Sequence, residues 1–184
     1  MKHLLLAACA MVPLFACSPQ SVDTAAVPME QTTEKPNYVP QGWIAKTLPE
    51  IAAGVKAGEV TSEELVQAYI DRINDVDRDG PTLQSVLSLN PNALVDARAA
   101  DAKRAAGDAL GLLHGVPILL KDNIETKDPL ATTAGALALQ DNVTGRDSPL
   151  VAGLRDAGAI ILGKANLSQW ANFRSNDSMS GWTA

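Results

Sequence analysis

Cysteine is nearly absent from this sequence: of 184 residues only Cys9 and Cys17 carry a thiol, both close to the amino end. Residues 18–184 therefore hold neither a disulfide framework nor a cysteine metal site. Histidine is as scarce. His3 and His114 stand alone, with no acidic or cysteine neighbours at ligand spacing, so no metal and no cofactor is expected. Aromatic residues make up 4% of the chain and are too scattered to stack nucleobases. Basic residues are outnumbered, 15 Lys and Arg against 21 Asp and Glu, and the net charge of −6 provides no basic stripe to neutralise phosphates. Both counts argue against a nucleic-acid partner. What is present is a globular composition, 46% hydrophobic and 20% charged, enough for one domain or a large part of one.

The amino end reads as an export signal. Met1-Lys2-His3 is a short positive region, residues 4–15 are apolar, and Leu14-Phe15-Ala16-Cys17 follows. About a dozen apolar residues fall short of the ~20 needed to span a bilayer. Leu-x-Ala-Cys resembles a bacterial lipobox, in which cleavage before the cysteine leaves its thiol and new amino group to carry acyl chains. Residues 1–16 are then a signal peptide and Cys17 is the lipidated first mature residue. The expected location is the bacterial cell envelope, anchored to the membrane by lipid on its periplasmic or extracellular face. Residues 17–42, rich in Ser, Thr, Pro, Gln and Glu, read as a flexible tether, and residues 43–184 as the folded part.

In the folded part Thr47-Leu48-Pro49-Glu50 and Thr61-Ser62-Glu63-Glu64 are two capping boxes, each predicting a helix; Gly58 ends the first. Asp75, Asp77, Asp79 and Gly80 match the first part of a calcium loop, but its twelfth position is Val86, so a solvated turn is expected. Residues 85–89 read as a strand. Residues 92–106 read as an Ala-rich helix whose wet side carries Asp96, Arg98, Asp101, Lys103 and Arg104. Ser148-Pro149 opens another helix, with Leu150, Val151 and Leu154 facing inward and Gly158 at its end, and residues 159–162 form the next buried strand. Alternating helices and strands of these lengths give an α/β fold.

The apolar run 116–120 within Gly115-Val116-Pro117-Ile118-Leu119-Leu120-Lys121-Asp122-Asn123 reads as a strand buried on both faces, and it delivers Lys121 to its end. A lysine there either snorkels to water or sits desolvated, where burial favours the neutral amine. Acting as a base near neutral pH takes a drop of roughly three units from ~10.4, about 4 kcal/mol of differential environment. Asp122 opposes that shift if it pairs with Lys121, but neighbouring strand residues point to opposite faces, so it can instead orient the loop or neighbouring backbone without touching that amine. His114, before the strand, is expected at the surface or bonded to backbone. Gly158 to Ala165 has the spacing of a phosphate-binding loop, but Ala-Ile-Ile-Leu is strand material and the last position lacks the hydroxyl for Mg²⁺, so nucleotide binding is rejected.

Four collinear blocks carry a resemblance. Thr61-Ser62-Glu63-Glu64-Leu65-Val66, residues 115–124, Thr132-Thr133-Ala134-Gly135 and residues 154–167 together resemble the amino-terminal half of the amidase signature family. The resemblance implies a mixed β-sheet wrapped by helices and hydrolysis of amide bonds, with a small amide as substrate. It also implies that Lys121 is catalytic, working with a second serine in a cis peptide to activate a serine nucleophile.

The family's Gly/Ser-rich segment, which holds both catalytic serines and the oxyanion-hole amides, lies downstream of the stretch matching Trp182-Thr183-Ala184. Ser168, Ser175, Ser178 and Ser180 sit instead in a polar stretch without glycine-rich turns and read as loop and cap residues. The expectation is a chain truncated before the catalytic serine region, either a piece of a longer chain or a truncated gene product, and inactive alone. Two classes of function follow: an exported, lipid-anchored amidase of which this is the front part, or a non-catalytic envelope lipoprotein using an amidase-like fold.

Overall fold

A computed structural model describes residues 38–172. Cys17 and Ser175, Ser178 and Ser180 lie outside the described residues. Helices α1 (Leu48–Ala57) and α2 (Ser62–Arg72) start at the two capping boxes. Thr47 and Thr61 each donate their backbone N–H to the glutamate three residues on, at 2.8 and 2.9 Å. Gly58 adopts φ +75°, the left-handed conformation that closes α1 at little cost. Strand β1 (Val86–Leu89), helix α3 (Ala93–Ala105), strand β2 (Pro117–Lys121), helix α4 (Pro149–Asp156) and strand β3 (Ile160–Ala165) follow.

The three strands form one mixed sheet in the order β1-β3-β2, with β3 antiparallel to β1 and parallel to β2. Side chains of β3 alternate between its two faces. Ile160 and Leu162 join Val66 of α2, Ala93 and Ala97 of α3 and Val86 of β1 on one face, while Ile161 joins Leu120 and Val151 of α4 on the other. Helices thus cover both faces, as the resemblance implies. A third cluster packs Ile51 and Val55 of α1 and Leu65 of α2 around Val116, just before β2.

Three expectations are corrected. Among the described residues β2 is an edge strand, not one buried on both faces: it pairs only with β3, and Leu119 is 39% exposed. An apolar run announces a strand without naming its neighbours, and β3 takes the central place. Leu150 is exposed, because α4 turns Val151 to the core and leaves its first turn in water. The acidic segment 75–81 is not simply a solvated turn. Asp77 is buried, and its carboxylate accepts hydrogen bonds from the Ser85 hydroxyl and from the Ser85 and Val86 amides, at 2.7 and 3.1 Å for the amides. That carboxylate ties the end of the π-helical turn Ile73–Arg78 to the start of β1.

Burial alone would raise the Asp77 carboxyl, but these hydrogen bonds hold it below the usual carboxylate range. Its stabilisation is therefore complete above about pH 4 and is lost as pH falls through the lowered value. Asp77→Ala leaves the Val86 amide without its acceptor and is expected to cost about 2 kcal/mol at neutral pH. Urea denaturation at pH 7 and below pH 4 checks both parts, since the difference from the parent should shrink in acid.

Candidate active site

Lys121 is the last residue of β2, and its side chain is exposed. Among the described residues no ion pair involves its ammonium, and the desolvation considered for it is not found among these residues. Its backbone, by contrast, is held: the Lys121 carbonyl accepts from the Ile124 amide at 2.9 Å, and the next amide, Asp122, donates to the Ala165 carbonyl of β3 at 3.0 Å. Asp122 turns the other way, as strand alternation requires, and is fully buried. One oxygen, Oδ2, accepts from the Thr133 hydroxyl and from the Thr133 amide at 3.2 Å. Asp122 therefore orients backbone away from Lys121.

The buried lysine of this region is Lys164, on β3. It is 0% exposed, and its ammonium donates to the Ile124 carbonyl at 2.7 Å and to the Thr132 hydroxyl at 2.8 Å. Asp122 Oδ1 stands 3.8 Å away, an ion pair with no shared hydrogen bond. Burial pushes the Lys164 amine below the ordinary lysine range, opposed by the attraction of Asp122 and, more weakly, of Asp128 and Glu125. Burial likewise raises the Asp122 carboxyl, opposed by its Thr133 hydrogen bond and by Lys164. The environment considered for Lys121 is thus found at Lys164. Full enclosure keeps Lys164 from any substrate, so its lowered basicity is a consequence of burial and not the tuning of a base.

Thr132 to Gly135 form a turn against this pair. Ala134 is buried at φ +51°, a left-handed conformation unusual for a residue with a side chain, and its amide donates to the Asp122 carbonyl at 3.1 Å. Behind the turn, Arg155 of α4 binds Asp128, the Thr126 hydroxyl at 3.1 Å and Asp147 at 3.0 Å. The segment from 122 to 147 is therefore anchored to both β3 and α4.

His114 is buried with Nε2 2.9 Å from the Ala100 carbonyl, the backbone-bonded role expected of it. Ser168 is half-buried beyond β3, and its carbonyl accepts from the Ala171 amide at 2.7 Å. Among the described residues no cluster of three or more His, Cys, Asp or Glu could hold a metal ion, and no helix is long and apolar enough to cross a membrane. Lys164 is the residue that sequence reasoning misses. In the sequence it stands out only as the lysine of a phosphate-loop spacing, and no local pattern pairs Asp122 with a lysine other than Lys121.

Residues 64–183 match the Amidase family. A probable amidase of Arabidopsis thaliana is 45% identical over 140 residues, covering 75% of this chain and 27% of its own length. A glutamyl-tRNA(Gln) amidotransferase subunit from Acidothermus cellulolyticus is 42% identical over 129 residues, covering 70% of this chain and 25% of its own. The crystal structure of a peptide amidase from Stenotrophomonas maltophilia superposes with a TM-score of 0.72 at 51% identity, over 78% of this chain and 29% of that one. The chain thus spans about a quarter of the length of the curated relatives it matches, between 25% and 27% for these two. The match over residues 64–183 and the shared fold make the chain a member of the amidase signature family.

Proposed function

We propose that this chain is the amino-terminal part of an amidase that hydrolyses carbon–nitrogen bonds in small amides, with Lys121 as its proton-transfer residue. The observation that carries this reading is the contrast at the end of β2: the Lys121 carbonyl and the Asp122 amide are both hydrogen-bonded, to Ile124 and to Ala165 of β3, while the Lys121 side chain is exposed and, among the described residues, outside every ion pair. A fixed backbone with an amine in no ion pair meets the positional requirement of a base; the desolvation that a base also needs is not supplied by the described residues. In the reaction a serine hydroxyl adds to the amide carbonyl. Its proton passes through a second serine to the Lys121 amine and from there to the departing nitrogen, and water then hydrolyses the acyl ester. Ser168 is not the nucleophile in this reading, since it lies in the loop beyond β3. The 184-residue chain alone is accordingly expected to show no turnover.

The test compares residues 18–184 with the longest polypeptide the gene encodes, on a panel of small primary and substituted amides with and without a serine-directed fluorophosphonate. The longer product should hydrolyse at least one amide and lose that activity on labelling, and the shorter should do neither. Absence of turnover and labelling in the longer product would favour the non-catalytic envelope lipoprotein. Stoichiometric labelling of one serine in residues 18–184 would force a new assignment of the nucleophile.

The same reading takes the protein to the cell envelope through acylation of Cys17, supported by Leu14-Phe15-Ala16-Cys17 and by the absence of cysteine from residues 18–184. Expressed in a bacterium, the parent should partition into detergent, and Cys17→Ser should abolish both partitioning and precursor processing. Identical behaviour of the two would end the idea.

A further inference from the structure

We propose that Lys164 is a positioning residue for Lys121: with Asp122 it locks segment 122–135 onto β3 and so fixes the direction in which β2 presents Lys121. The inference rests on the reading of Lys121 as the proton-transfer residue. Two hydrogen bonds link the lysines. The Ile124 amide donates to the Lys121 carbonyl at 2.9 Å, and the Ile124 carbonyl accepts from Lys164 Nζ at 2.7 Å. The same Nζ holds Thr132, at the far end of the segment, at 2.8 Å. Asp122 completes the clamp: its Oδ2 holds Thr133, its carbonyl holds the Ala134 amide, and its Oδ1 has no hydrogen-bond partner and faces Lys164.

An apolar side chain could fill this volume without the desolvation that two buried charges incur. What it could not supply is direction. One ammonium reaching a carbonyl at 124, a hydroxyl at 132 and a carboxylate at 122 sets three points of one loop, and the left-handed Ala134 is tied to the Asp122 carbonyl through its amide. Enclosure keeps Lys164 from substrate, so its effect on the reaction passes through Lys121.

The first arm of the test is hydrogen exchange by mass spectrometry on the 184-residue chain carrying Lys164→Met with Asp122→Asn, which removes both charges together. Amides in 122–135 should exchange at least ~10-fold faster, while those of α1 keep the parent's rates. Thr132→Val removes one ammonium partner with little change of shape, and should speed the same amides by about 3-fold; it decides the point if the double variant does not fold. In the longest gene product the same variants are assayed with kcat counted per fluorophosphonate-reactive serine, so that unfolded protein does not register. The lock predicts kcat lowered by at least ~10-fold in the double variant with KM within about 3-fold, as expected when a reacting group is misplaced. Unchanged exchange in 122–135 overturns the lock. Faster exchange with unchanged kcat overturns the positioning role. If Lys121→Ala keeps full turnover, the reading of Lys121 falls and the positioning role falls with it, while the exchange result stands by itself.

Discussion

Lys164→Met is expected to destabilise the fold by about 3–5 kcal/mol, because it leaves the Asp122 carboxylate buried without its cation. Asp122 is 0% exposed and already has one oxygen with no hydrogen-bond partner, so the carboxylate has neither water nor a spare donor to take the cation's place. The Ile124 carbonyl and Thr132 hydroxyl lose their donor in the same step. Asp122→Asn on that background removes the stranded charge, and its amide oxygen can still accept from Thr133. The double variant should therefore be more stable than Lys164→Met, which is the opposite of additive behaviour, with a coupling of about 1–3 kcal/mol. Urea denaturation of the four proteins gives the cycle directly. Additive effects, or a cost below about 1 kcal/mol for Lys164→Met, would show that the two charges do not depend on each other.

The helices of this fold were legible because their signals are local. A capping box needs only four residues, and Thr47 to Glu50 and Thr61 to Glu64 place the starts of α1 and α2 directly. Ser148-Pro149 does the same for α4. Sheet order is a different kind of information. The run at 116–120 identifies a strand but cannot say that β3 lies between it and β1, since that depends on pairing Pro117 with Ile160 and Val86 with Ala165, partners far apart in sequence.

Buried polar residues were the least legible, for the same reason. The buried Asp77 and Lys164 and the half-buried Asp101 carry charges that composition assigns to solvent, and each finds its partner outside its own element. Asp101, read as lying on the wet side of α3, accepts from the Ser62 and Glu63 amides at 2.8 and 3.0 Å and thereby caps α2. Lys164 meets Thr132 and Asp122 of the loop that follows β2. The sequence does hold one usable hint at Lys164: it follows Ile-Ile-Leu-Gly inside a strand too apolar for a solvent edge. For the candidate site, position was readable and environment was not. Strand alternation correctly sent Asp122 away from Lys121, but nothing local could show that a second lysine awaited it.

Lys121→Ala in the longest gene product is expected to lower amide turnover by at least ~10²-fold, the scale of a lost general base, with almost no effect on the fold. The two lysines should thus separate cleanly. Lys121 is exposed and, among the described residues, in no ion pair, so truncating it belongs with surface substitutions that stay within about 0.5 kcal/mol. Circular dichroism and the urea midpoint should match the parent's. Lys121→Arg sharpens the test, because a guanidinium keeps the positive charge but does not deprotonate in the working pH range. A base must give up its proton to function, so Arg should be as inactive as Ala. If the charge alone mattered, for holding an anionic intermediate or steering substrate, Arg would retain much of the activity and Ala would not. Full activity in both variants would instead make Lys121 an ordinary surface lysine at the end of an edge strand, and the search for the base would have to move to residues beyond those described.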